Sequence, residues 1–179
     1  MLLNILIAVV VLVIAAVVGL LIAAASKPDT FRIERSGEMR APPDKIFVQI
    51  NDFHNWASWS PWEKMDPNLK RTYSGAASGQ GAIYEWEGNK KVGKGRMEIA
   101  ESLAPSKIAI KLDFLKPFEA HNTAEFTLEP KGDTTKLTWA MLGRQPFLFK
   151  VMKIFLDMDK MVGKDFEAGL ANLKAIAEA

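Results

Sequence analysis

The sequence predicts an α+β domain in which a curved antiparallel β-sheet wraps a long C-terminal helix, with a separate apolar helix in front of it. Three observations carry this. Residues Met1 to Ser26 contain no Asp, Glu, Lys or Arg, so every charged side chain of the 179-residue chain lies from Lys27 onward. From Leu69 to Met141, apolar side chains recur at alternate positions between turn signals. From Pro146 to the end they recur with the 3.6-residue helical period instead.

Leu2 to Ala25 is an apolar run broken only by Asn4 and Gly19. At about 1.5 Å per residue it reaches roughly 36 Å, enough to cross a bilayer core of about 30 Å. It has no polar face with which to lie on a domain surface. Residues 1–26 are therefore expected to be a retained single-pass membrane anchor, touching the bilayer through residues 2–25. The rival reading is a cleaved signal peptide, for which Ala23-Ala24-Ala25 offers an A-x-A site. Against it, no Lys or Arg precedes the run, and the run exceeds the roughly 7–15 residues of a signal h-region. Lys27, Arg32, Arg35 and Arg40 follow the helix, while only the terminal amine precedes it. That asymmetry favours a cytoplasmic domain, although large domains translocate despite flanking charge.

Residues 27–179 form the second unit, about 150 residues, large enough to bury a core or to enclose a cavity. The net charge of +2 gives no reason to expect a nucleic-acid partner. The absence of cysteine excludes disulfides, thiolate metal sites and a cysteine nucleophile, without indicating a compartment.

Within this unit, Phe31, Ile33 and Met39 alternate through a first strand, with Arg35 and Gly37 interrupting the face. Ala41-Pro42-Pro43-Asp44 ends it and starts a short helix that carries Ile46, Phe47 and Ile50 on one side. Asp52 is placed to cap a second short helix through Trp59, and Ser60-Pro61-Trp62 breaks that. About six strands follow. Leu69 to Ser74 is the first, and Gly75 to Gly81 a small-residue loop. Tyr84 and Trp86 share a face of the next, as do Met97 and Ile99, and Ile108, Ile110, Leu112 and Phe114. Phe118, Ala120, Ala124, Phe126 and Leu128 are expected on one face of the penultimate strand. Leu137, Trp139 and Met141 are expected inward on the last. The C-terminal helical stretch is expected to bend, with Asp157 or Asp159 capping a fresh helix of roughly 20 residues. Strand, two short helices, about six strands and a long helix is the order of the helix-grip fold.

Particular residues strengthen that likeness. Ala41-Pro42-Pro43-Asp44-Lys45-Ile46-Phe47, Asp52-Phe53-His54-Asn55-Trp56 and Trp59-Ser60-Pro61-Trp62-Glu63 resemble the polyketide cyclase/dehydrase and lipid-transport family of the START-like (SRPBCC) superfamily. Tyr73-Ser74-Gly75, Gly79-x-Gly81-Ala82-x-Tyr84-x-Trp86-x-Gly88-Asn89 and the ending from Met161 to Lys174 fit the same family. The resemblance spans about residues 30 to 178. It implies the fold and a hydrophobic ligand, but not one activity, because lipid carriers, hormone receptors and aromatase/cyclases share this shape.

The candidate ligand-binding residues are Tyr84, Trp86, Met97, Asn122, Trp139, Met141, Met158, Val162 and Phe166. Their apolar bodies suit a pocket that binds by burial, or alternatively a packed core. Met152 and Met161 join Met97, Met141 and Met158 as adaptable apolar groups that equally suit plain core. Tyr84 and Asn122 are polar groups on apolar faces, placed to orient a ligand head group or to satisfy buried neighbours. Trp56, Trp59 and Trp62 read equally as a lid or as a structural plug. Arg35 and Glu101 read as buried charges or, more commonly, as edge residues. His54 and His121 show no metal-ligand spacing. Gly75-Ala76-Ala77-Ser78-Gly79 is no nucleophile elbow, and Gly93-x-Gly95 lacks a third glycine and a following helix. No metal or cofactor is expected. The expected function is membrane-anchored binding, or transport, of a hydrophobic small molecule or lipid. The alternatives are a cyclase/aromatase-like enzyme, which requires a polar acid–base group deep in the cavity, and an interaction domain with a filled core.

Overall fold

A computed structural model describes residues 1–179. The N-terminal apolar run is one helix, α1 (Leu2–Ala25), long and apolar enough to cross a membrane. The domain then runs β1 (Thr30–Met39), α2 (Pro43–Asn51), a 3-10 turn (Phe53–Asn55), α3 (Trp56–Trp59), a second 3-10 turn (Pro61–Lys64), and six strands. These are β2 (Lys70–Gly75), β3 (Ala82–Glu87), β4 (Lys94–Leu103), β5 (Lys107–Lys116), β6 (Ala120–Lys131) and β7 (Thr134–Arg144). Two helices, α4 (Phe147–Phe155) and α5 (Met158–Glu178), end the chain.

Local chemistry accounts for the breaks. Pro43 opens α2, where its missing N–H costs nothing. The Asp52 carboxylate accepts the His54 N–H at 2.9 Å and caps the turn that follows. Asp157 does the same for α5, accepting from the Lys160 N–H at 3.0 Å.

The seven strands form one antiparallel sheet in the order β1-β7-β6-β5-β4-β3-β2. Antiparallel pairing fixes which loops share an end. The start of β1 pairs with the end of β7, the start of β6 with the end of β5, and the start of β4 with the end of β3. All of these lie at the end of the domain nearest α1. Helix α5 runs along β1, from Arg35, bonded to Asp159 and Glu167, to Arg40, whose N–H donates to Glu178. Its N-terminus therefore also lies at the α1 end.

The far end is solid. Ile99, Ile108, Ile110, Phe126, Leu137 and Leu173 are fully buried there, and α2 covers them with Ile46, Phe47 and Ile50. Fully burying one such side chain contributes about 1.5–3 kcal/mol. Trp56 and Trp59 are buried plugs, not lids: their indole N–H groups donate to the Ile50 and Gln49 carbonyls at 2.9 and 3.0 Å.

One expectation changes. Phe118 is not on a strand face; it lies in the β5–β6 loop and is 62% exposed. Pro117, which lacks a ladder donor, precedes it, and β6 begins only at Ala120. Glu101 takes the edge reading: a register shift between Ile99 and Glu101 turns it off the face of Met97 and Ile99, and it pairs with Lys107 at 2.6 Å. Arg35 takes the edge role, bridging β1 to Asp159 and Glu167 at 2.9 Å each.

Candidate ligand cavity

Between the α1-end half of the sheet and the first turns of α5 lies a cavity of about 210 Å³. Its inner wall is Tyr84, Met97, Ala124, Trp139 and Phe166, all buried. Toward the α1 end the lining becomes half-buried at Trp86, Val92, Leu112, Phe114 and Val162, and reaches the surface at Lys91. The mouth is therefore at that end. The reason is geometric: α5 packs against the sheet at Leu170 and Leu173, and the space left at its N-terminal half is not filled by side chains.

Trp139 organises the floor. Its ring stacks on Phe166 at 4.2 Å and 7°, and on Phe126 at 4.9 Å, with Trp62 edge-on at 5.6 Å. Gly169 permits this, since a β-carbon there would stand 2.7 Å from the Trp139 ring.

The polar groups are few. The Tyr84 hydroxyl donates to Glu63 at 2.5 Å. Arg71 Nε donates to the other Glu63 oxygen at 2.6 Å, and that bond raises the Arg71 pKa. Burial, then the bond to Glu63, pushes the Tyr84 pKa far above that of a free phenol, so it remains a donor. Glu63 is buried but paired, which is how a charge is tolerated there. Two groups are unmatched. Trp139 Nε1 is buried without a hydrogen-bond partner. Asp165 lines the cavity half-buried, and burial raises its carboxyl pKa.

Of the residues expected to bind ligand, Tyr84, Trp86, Met97, Trp139, Met141, Val162 and Phe166 line this one space. Asn122 and Met158 do not. Asn122 shares the face of Ala124 but sits near the α1 end of β6, where its side chain and Phe31 fill the space left by Gly143. It borders an open polar groove with Asp113, His121 and Arg144. Met158 is the first residue of α5, a turn short of the cavity. Met152 and Met161 also lie outside it. Sequence reasoning missed Glu63 and Asp165. Asp165 had a signal, since it follows Val162 by three residues on the same helical stripe. Glu63 had none, because it arrives from an irregular turn after Pro61.

A curved antiparallel sheet gripping a C-terminal helix around an apolar pocket defines a helix-grip ligand-binding fold. Residues 30–178 match the family described as polyketide cyclase / dehydrase and lipid transport, and the chain belongs to that family. Solved structures agree on the fold. Protein CV1439 from Chromobacterium violaceum superposes with a TM-score of 0.59 at 16% identity, covering 86% of this chain and 99% of that one. The Aha1 dimer from Colwellia psychrerythraea gives 0.59 at 13% identity, covering 83% and 96%. The di-domain ARO/CYC StfQ from the steffimycin biosynthetic pathway gives 0.61 at 14% identity, covering 83% of this chain and 51% of that one. A comparison with curated proteins finds no match.

Proposed function

We propose that residues 27–179 hold a compact hydrophobic molecule, or one apolar chain of a lipid, in this cavity, and that α1 anchors the domain to a membrane. The observation that carries the reading is the enclosed space itself, lined by 18 residues of which 14 are hydrophobic. Affinity comes from burying apolar surface, about 0.8 kcal/mol per CH₂ before association costs. At about 210 Å³ the space suits one ring system or chain rather than a two-chain lipid. Asp165 supplies a carboxyl group for a ligand hydroxyl or amine.

Organic extraction and mass spectrometry of the full-length protein in lipid nanodiscs test this. A hydrophobic species should be enriched over empty nanodiscs and lost in Ala124→Phe, which fills the space. Equal content in parent and variant would contradict it.

Asp165 favours a second reading, acid–base catalysis on a bound chain, because an unpaired cavity carboxyl with a raised pKa is a usable proton donor or acceptor. Asp165→Asn separates the two: loss of turnover with retained ligand points to catalysis, and loss of ligand to binding. The unfilled space between sheet and helix speaks against the filled-core reading.

A further inference from the structure

We infer that the α1 end of the domain rests on the lipid bilayer and that the cavity mouth opens onto it, so that ligand passes between bilayer and cavity without entering bulk water. This rests on the anchoring and cavity readings above.

Helix α4 is built inside out for an aqueous protein. Its one buried side chain is Lys150, whose Nζ donates to the Lys27 carbonyl at 2.8 Å and to Asp29 at 2.5 Å. Its apolar residues Phe147, Leu148, Ile154 and Phe155 are exposed, Leu148 to 64% and Phe155 to 71%. Such a stripe on a surface helix marks a contact with something apolar. What covers it follows from continuity: α4 packs beside α1, Leu20 and Ala24 are the α1 residues that lose exposure, and Lys150 ties α4 to the end of that helix. An apolar face that continues a candidate membrane span meets the same bilayer.

A second apolar point lies at the same end. Leu115 is exposed near the end of β5 and Phe118 in the β5–β6 loop. That loop abuts the β3–β4 loop, where Gly93 packs against Lys116 and Pro117. The β3–β4 loop in turn supplies Lys91 and Val92 to the cavity mouth. The mouth is thus flanked by the elements that expose apolar side chains. Lys90, Lys91, Lys116, Lys153 and Lys160 also lie at this end, and none is held in an ion pair. Their stems reach over apolar surface while their ammonium groups meet lipid phosphates.

The chain has no cysteine, so single cysteines report position cleanly. Full-length Val11→Cys, Phe118→Cys, Leu148→Cys, Phe155→Cys and Asp133→Cys, each carrying an environment-sensitive NBD label, are placed in vesicles of phosphatidylcholine and phosphatidylglycerol. Nitroxide-labelled lipid should quench the labels at 11, 118, 148 and 155, while aqueous iodide should quench the one at 133, in the β6–β7 turn at the far end. Lipid quenching at 11 with iodide quenching at 118, 148 and 155 overturns this inference and leaves the anchor standing. Iodide quenching at 11 overturns the anchor and this inference together. For ligand passage, the Phe118→Asp/Phe155→Asp variant should slow entry of N-phenyl-1-naphthylamine from probe-loaded vesicles several-fold at unchanged final occupancy. An unchanged rate overturns the passage route.

Discussion

Asp165 contributes an unmatched carboxyl group to the cavity wall, whereas Tyr84, Glu63 and Arg71 satisfy one another, and the two situations have different consequences. Burial raises the Asp165 pKa above the ordinary carboxyl value of 3.8, so the folded state disfavours the carboxylate. Below that value both folded and unfolded forms are protonated and no penalty exists. As pH rises through the folded pKa the penalty becomes complete. Asp165→Asn should therefore raise the melting temperature at pH 7, with the gain vanishing below about pH 3.8, as thermal melts across pH will show. Tyr84→Phe acts oppositely: it leaves Glu63 with Arg71 alone and should cost about 1–3 kcal/mol in urea unfolding. Tyr84 was legible in the sequence, because alternation placed it with Trp86 on the inner face. Its partner Glu63 was not, because an irregular turn has no period to read. Asn122 shows the complementary failure: alternation assigns a face but not the distance from the strand's end, and Asn122 is too near that end to reach the cavity.

At the scale of elements, α5 is the part the sheet cannot lose. Gly163 and Gly169 let it close on the sheet, the first admitting the Arg35 guanidinium and the second the Trp139 ring. Gly169→Ala should gain about 1 kcal/mol of helix propensity. It should lose about 1–3 kcal/mol to overpacking, since its β-carbon would stand 2.7 Å from Trp139 and 3.4 Å from Pro61. A net loss of stability in chemical denaturation is the expected result. Truncation after Asp157 should abolish cooperative melting, because it uncovers Trp139 and Leu137. The period of the C-terminal stretch revealed its helical character, and Asp157 and Asp159 were both candidate caps for the bend that the structure places at Asp157. It did not reveal that the apolar stripe of α4 faces outward, since periodicity locates a stripe and says nothing of what covers it.

At the scale of the whole molecule, the pairing of β1 with β7 joins the two ends of the domain and was visible only through family likeness, because no local signal links residues 30–39 to 134–144. That pairing brings α1, α4 and the cavity mouth to one end. If α1 spans a bilayer, full-length protein should stay with the membrane fraction after high-salt and alkaline washing, because such a helix is not held by charge. A soluble product beginning near Ser26 or Lys27 would establish cleavage instead. The most direct test of an internal ligand site is energy transfer from tryptophan to N-phenyl-1-naphthylamine bound by the full-length protein in nanodiscs. All five tryptophans lie between Trp56 and Trp139, and Trp56, Trp62, Trp86 and Trp139 line the cavity. The parent should show saturable transfer above the empty-nanodisc background, and Ala124→Phe, still folded, should abolish it. Transfer absent in the parent, or equal in the two proteins, would contradict a ligand held inside the cavity.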